Sequence, residues 1–210
     1  AGASQDAAGN GNGAAPTLSR VYDSLPPVVL VDLDGTGPTN TSPVAAAVFF
    51  SEPVIGFTAG DLATTGALVA DFAGAGDTYT FNLVPLMQGL VGAGVPGGVA
   101  FDAAGNPNVA SAFATRLFDS IPPEVMSVVR LDASPTSAST VSYGVVFSEA
   151  VSGLDLADLD LTTTGVTATT VTLVGGGPTS WSVSVDTGTG SGELRLDVLD
   201  DNSIVDLAGN

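Results

Sequence analysis

Three acidic positions recur along this chain, each inside a longer repeated string. Asp23 and Asp119 open the string Asp-Ser-x-Pro-Pro, Glu52 and Glu149 follow Phe-Ser, and Asp102 and Asp206 open Asp-x-Ala-Gly-Asn. Carboxylates are hard oxygen donors, and calcium gathers about six to eight oxygens from side chains and carbonyls that loops bring together. If the loops carrying these strings converge, each set of three acids can hold one calcium ion, with Asn106 or nearby carbonyls contributing. The same residues have a plainer reading. An Asp can cap a turn through its own backbone, Gly-Asn supplies left-handed conformations, and a Glu after a strand can be a solvated edge residue. Repeated turns would repeat these positions just as repeated metal sites would.

Other chemistry is excluded by what is missing. Twenty-two acidic residues face only Arg20, Arg116, Arg130 and Arg195, and there is no His, Lys or Cys. That removes Ser-His-Asp and Cys-His catalysis and Cys/His zinc sites. It also removes Schiff bases, P-loops and Lys–Asn isopeptide crosslinks. Paired carboxylates serve glycoside hydrolysis in other settings. Here the lone Trp181 occupies the repeat position of Tyr79 on an apolar face, which reads as core and not as a sugar platform. The expectation is that the chain is not an enzyme. A net charge of −18 argues against nucleic acid and anionic membrane as partners. It fits either a solvated acidic surface or one neutralised by divalent cations.

The elements that must position these acids come from a repeat of roughly one hundred residues. Asp6-Ala-Ala-Gly-Asn10 returns as Asp102-Ala-Ala-Gly-Asn106 and as Asp206-Leu-Ala-Gly-Asn210. Asp23-Ser-Leu-Pro-Pro27 returns as Asp119-Ser-Ile-Pro-Pro123, an offset of 96. Phe50-Ser-Glu-Pro-Val54 returns as Phe147-Ser-Glu-Ala-Val151, an offset of 97, and each is followed by Asp-Leu at Asp61 and Asp158. Tyr79 matches Trp181 at an offset of 102, so the second copy carries a short insertion near Gly175 to Gly177. Within a copy, short β-rich runs alternate with turn signals. Thr78 to Val84 places Tyr79, Phe81 and Leu83 on one face, and Ser180 to Val185 follows the same alternation. Val44 to Phe50 is the longest apolar run, strand length and far below the ~20 residues of a membrane span. The pattern predicts an all-β chain of tandem Ig-like β-sandwich modules in a linear array, about seven strands each.

The two prolines of Asp-Ser-x-Pro-Pro stiffen the joint and donate no hydrogen bonds, so this string marks the module boundary. Residues 1–22 then read as the closing loop and last strand (about Pro16 to Val21) of a preceding module. Residues 23–118 form one Ig-like module, and 119–210 form a second that lacks its last strand. The N-terminus has neither the basic start nor the apolar stretch of a signal peptide, so the expectation is mature protein or an interior piece. Two arrangements follow for the ends. Residues 14–22 of one copy complete the open sandwich of the next, or the 210 residues are a window on a longer array. The same turn at both ends favours the window.

Phe-Ser-Glu-Pro-Val-x-Gly-Phe-Thr-x-x-Asp-Leu at 50–62, with Phe-Asp-Ala-Ala-Gly-Asn-Pro-Asn at 101–108, resembles the bacterial Ig-like repeats of long extracellular surface adhesins. The resemblance implies a secreted, stalk-like protein at the cell surface, often rigidified by calcium at module junctions. The second copy departs in having Ala150 where the first has Pro53. The expected role is mechanical, as a structural repeat segment of a surface stalk, adhesin or filament. Its expected partners are neighbouring modules of the same chain or copies of itself, with a host or cell-surface ligand left unspecified. The alternatives are a glycan- or protein-binding module and an accessory array of a secreted enzyme. Asp32-Leu-Asp-Gly-Thr-Gly-Pro-Thr-Asn40 is too short for an EF-hand and lacks its terminal Glu, so it reads as a loop between strands. Asp200-Asp201-Asn202 reads as a hairpin turn. Asn40-Thr41-Ser42 is one glycosylation sequon, a weak signal.

Overall fold

The computed structural model describes residues 2–167, 169–199 and 201–210, and among them the chain is all-β. Six strands build the first part: β1 (Val29–Leu33), β2 (Val44–Val54), β3 (Ala63–Thr65), β4 (Ala67–Pro85), β5 (Gly89–Gly94) and β6 (Ala114–Phe118). Six build the second: β7 (Val125–Arg130), β8 (Thr140–Phe147), β9 (Leu159–Thr167), β10 (Thr170–Gly176), β11 (Ser180–Asp186) and β12 (Thr189–Val198). A single 3-10 turn at Ala59–Asp61 completes the first set.

Each part is a sandwich of two antiparallel sheets. The first pairs β1-β2-β4 over β3-β5-β6, and the second pairs β7-β8-β11-β10 over β9-β12. The 19-residue β4 is a hairpin in itself. Leu86 N donates to Gly66 O (2.9 Å), Asn82 Nδ2 donates to Asp71 Oδ2 (2.8 Å), and the rings of Phe72 and Tyr79 stack. Its two arms therefore correspond to β10 and β11. Gly74 makes the fold-back possible: a Cβ there would lie 2.4 Å from the Thr78 carbonyl oxygen, at a φ of +134°. With the two arms of β4 counted separately, the first sandwich has seven strands and matches an Ig-like β-sandwich.

Period-two alternation sets which residues meet between the sheets. In β1 the burial alternates without a break, with Val29, Val31 and Leu33 inward. Val48, Leu83, Val91 and Ala93 are fully buried between the sheets, and burying each larger aliphatic contributes about 1.5–3 kcal/mol. Phe50, Phe57 and Tyr79 pack edge to face with centroids 4.9–6.0 Å apart. The second core forms around Tyr143, Val145, Phe147, Val183 and Val185. Trp181 packs half-buried against it, with its indole N–H buried and without a hydrogen-bond partner among the described residues.

Pro16 to Val21, expected as a strand, is not one: residues 13–28 carry no regular structure. Leu18 is 101% exposed and Tyr22 88%. The apolar residues Leu18, Val21 and Tyr22 do not alternate strictly, and a strand exists only when its N–H and C=O groups find a neighbour. None lies beside this segment among the described residues.

Candidate metal centres

The turn string builds the first part of each site. In Asp102-Ala-Ala-Gly-Asn106 the Asp102 carboxylate folds over its own backbone, with Oδ1 accepting from Ala104 N and Asn106 N at 2.8 Å each. Gly105 N donates to Asp102 O (3.2 Å) with φ at +92°, a conformation glycine adopts without strain. Asn106 Nδ2 then clamps Asp102 Oδ2 (2.7 Å) and reaches the carbonyl of Asp23 (3.4 Å), tying the turn to the linker. The second copy repeats this. Asp206 Oδ1 accepts from Ala208, Gly209 and Asn210 N–H groups at 2.7–3.0 Å. Asn210 Nδ2 donates to Asp206 Oδ2 (2.8 Å) and Asp119 O (3.0 Å).

The glutamate arrives from the opposite sheet. Ile55 and Phe101 exchange backbone hydrogen bonds (2.8 and 3.0 Å), as do Ser152 and Val205 (2.8 and 3.0 Å), so the chain just past each glutamate runs beside the aspartate turn. The serine of Phe-Ser-Glu holds the linker. Val28 N donates to Ser51 Oγ (3.0 Å) and Ser51 N to Val28 O (2.8 Å). Glu124 and Ser148 repeat the pair at 2.9 and 2.8 Å. The linker aspartates are each set by a short turn, from Leu25 N to Asp23 Oδ1 (3.0 Å) and from Ile121 N to Asp119 Oδ1 (3.1 Å).

The outcome is two carboxylate triads. In Asp23, Glu52 and Asp102, and again in Asp119, Glu149 and Asp206, one ligand oxygen from each residue lies within 4.8 Å of the others. Oxygens bound to one calcium at about 2.3–2.6 Å lie up to about 5 Å apart, so the spacing fits that ion. So does the donor set, which is oxygen throughout. The charges within each triad are in tension. Burial, then the charges of Asp102 and Asp23, push the Glu52 carboxyl above the usual glutamate range. Burial and the charges of Asp206 and Asp119 do the same to Glu149. Asp102 goes the other way. Burial would raise it, but the Asn106 amide and the N–H groups of Asn106, Ala104 and Gly105 hold it below the usual aspartate range. Asp206 is held low by the equivalent bonds. Each site thus has a firmly ionised aspartate facing a glutamate that resists ionisation, an arrangement a divalent cation would relieve.

All six acids singled out from the sequence fall in these clusters. Asn106 serves as a clamp on Asp102, its amide nitrogen spent on the carboxylate and on Asp23 O. Sequence reasoning missed three participants: Asn210, the exact counterpart of Asn106 in its string, and Ser51 and Ser148, whose signal was their place before the glutamate. The 34–43 segment connects β1 to β2. In the 200–202 run, Asp200 lies outside the described residues, while Asp201 Oδ1 accepts from Ser203 N (3.1 Å). The buried Asp158 works within the fold, accepting from Asp155 N (2.8 Å) and Ser203 Oγ (3.2 Å).

The second triad lies where the two sandwiches meet. Asn40 Nδ2 donates to Gly209 O (2.8 Å), Thr39 pairs with Phe118, and Gln88 bonds both N and Oγ of Ser120 (3.0 and 3.1 Å). Fold and site together define a tandem Ig-like β-sandwich protein with a carboxylate triad at the head of each sandwich. Among solved structures it is similar to invasin, a bacterial integrin-binding protein, at 15% identity and a TM-score of 0.39. That match covers 80% of this chain and 36% of the other, so the chain spans little more than a third of that structure. No protein-family model and no curated protein matches the chain.

Proposed function

We propose that this chain is a structural repeat segment of an extracellular bacterial surface stalk, adhesin or filament, and that calcium stiffens its joints. The observation that carries this reading is that each triad unites three separate pieces of chain: the Pro-Pro linker, the segment at the end of the second strand, and the closing turn. A cation shared by all three ties the linker to the body of its sandwich, which turns a hinge into a strut. The role is mechanical and not catalytic. Without His, Cys or Lys, the chain offers little beyond carboxylates and hydroxyls, and the triads are built into the joint.

Calcium binding is tested by thermal unfolding with calcium and with a chelator. A ligand bound only by the folded state stabilises it by about 2.7 kcal/mol at one hundred times its Kd. Calcium should therefore raise Tm, and Glu52→Gln together with Glu149→Gln should remove most of the gain. Superimposable melting curves with and without chelator would rule the calcium sites out.

A further inference from the structure

We propose that Asn10-Gly11 and Asn12-Gly13 form a self-modification site, at which the two asparagines convert spontaneously to aspartate and isoaspartate. The inference is independent of the calcium reading and stands on a contrast between two matched loops, residues 2–13 and 98–109.

The loops share their geometry. Gly2 N donates to Asn12 O (3.1 Å) and Asn12 N to Ser4 O (2.8 Å). Gly98 N donates to Asn108 O (3.0 Å) and Asn108 N to Ala100 O (2.9 Å). The side chains repeat as well. Asn12 Oδ1 accepts from Ser4 N (3.1 Å), and its Nδ2 donates to Gly13 O (3.0 Å). Asn108 makes the same two bonds, to Ala100 N (2.9 Å) and Val109 O (2.8 Å). Asn10 clamps Asp6 as Asn106 clamps Asp102. What differs is the residue after each asparagine. It is glycine at 11 and 13, but Pro107 and Val109 in the other loop, and no other Asn-Gly pair occurs in the chain.

That neighbour decides the reaction. The backbone nitrogen after an asparagine attacks the side-chain carbonyl carbon, Cγ. The Cγ–Nδ2 bond breaks, the backbone proton leaves with Nδ2 as ammonia, and a succinimide ring closes. Water then opens the ring at either carbonyl. One opening gives aspartate, and the other gives isoaspartate, with the backbone routed through the side chain. Water is the sole co-reactant. Glycine has no Cβ to obstruct the closure and reaches a wide range of φ and ψ. Proline has no N–H to give up, and the branch of valine stiffens and crowds the approach. The Gly11 and Gly13 N–H groups donate no hydrogen bond among the described residues. Nothing lies within 4 Å of where a Gly13 Cβ would stand.

Conversion acts back on the loop. At residue 10 it replaces the Nδ2 donor, 2.9 Å from Asp6 Oδ2, with a carboxylate oxygen. Two like charges then face each other across the turn, and the clamp opens. At residue 12 the donor to Gly13 O is lost in the same way. Isoaspartate also adds a carbon to the backbone of a tightly bonded turn. The Asp6 turn therefore carries a chemical timer that the Asp102 turn lacks.

The test holds the 210-residue chain in mildly alkaline buffer at physiological temperature and samples it by trypsin digestion and mass spectrometry. Cleavage at Arg20 and Arg116 separates residues 1–20 from residues 21–116, which hold Asn106 and Asn108. The first fragment should gain mass in two steps, each an exchange of NH2 for OH, and become a substrate for protein isoaspartate methyltransferase. The second fragment should keep its mass. Gly11→Pro with Gly13→Val, the residues of the matched loop, should abolish both steps. Neither glycine has a positive φ, so the turn tolerates the change. In converted chains the Ala8 and Asn10 amides should lose protection from hydrogen exchange. A first fragment that keeps its mass, or that gains it as fast in the double variant, overturns the proposal. Equal gains in the two fragments overturn it too, and converted chains with Ala8 and Asn10 still protected overturn the timer.

Discussion

The two sandwiches share one repeat, yet they bury their cores to different depths. Among the described residues the first core contains 17 buried hydrophobic side chains and the second nine. The contrast is sharpest in the opening strands. β1 buries every second residue, whereas no residue of β7 is fully buried and Val125, the counterpart of Val29, is 43% exposed. On the facing sheet, Val91 is fully buried while Leu194 is half-buried. The first sandwich is closed by β6, which lies against both β5 and β1. No described strand does the same for the second. Core burial is a collective property of sheet closure, so apolar residues placed by the same alternation reach different depths in the two sandwiches.

The largest test of that contrast uses matched core deletions. Phe50→Ala should cost about 4 kcal/mol, because Phe50 is enclosed by Phe57 and Tyr79. Phe147→Ala should cost nearer the ~3 kcal/mol lower end, since the looser core can relax. The lone Trp181 sits in the second sandwich and reports its unfolding by fluorescence, while circular dichroism follows the whole chain. Equal costs would break the comparison.

A smaller effect separates the sandwiches in the opposite sense. Gly56 and Gly153 occupy the same position at φ of +88° and +94°. A methyl on Gly56 meets only the Val99 carbonyl at 3.9 Å, so Gly56→Ala costs about 1–2 kcal/mol of backbone strain. A methyl on Gly153 would fall 1.9 Å from the Ser203 carbonyl, so the backbone must move as well. Gly153→Ala is expected to destabilise more in chemical denaturation, and parity would show that the strand-to-turn contact is pliable.

The smallest effect is the pH response of the triads. Without a cation, acidification first protonates Glu52 and Glu149, whose folded carboxyls sit above their unfolded values. Their ionisation penalty is relieved as pH falls through the raised values, so stability should rise slightly there. Further acidification protonates Asp102 and Asp206, held below their unfolded values, and their contribution is lost as pH falls through the lowered ones. A shallow stability maximum on the acid side is expected in Tm measured against pH. Calcium should erase the initial rise, since protons then compete with the ion. A monotonic fall in chelator would show that the glutamates are not strained.

Much of this was legible in the residues. The alternation at Thr78 to Val84 does place Tyr79, Phe81 and Leu83 in the core. The recurring strings singled out every acid of both triads. Other features were not legible. Nothing in the 67–85 run announces that one strand folds back at Gly74, and the serine contacts join residues 23 and 24 positions apart.

The Asp-x-Ala-Gly-Asn turn marks the division. At Asp6 it forms with no acidic triad around it among the described residues: Asp6 Oδ1 accepts from Ala8 N and Asn10 N, and Asn10 Nδ2 donates to Asp6 Oδ2, all at 2.9 Å. Five consecutive residues suffice, because every bond is local and glycine supplies the positive φ. The sequence alone therefore determined the turn in all three copies. Only the tertiary structure decided that Asp102 and Asp206 join triads. Glu52 stands 50 residues before Asp102 in the chain and Asp23 a further 29, and only two sheets packed face to face bring the three carboxylates together.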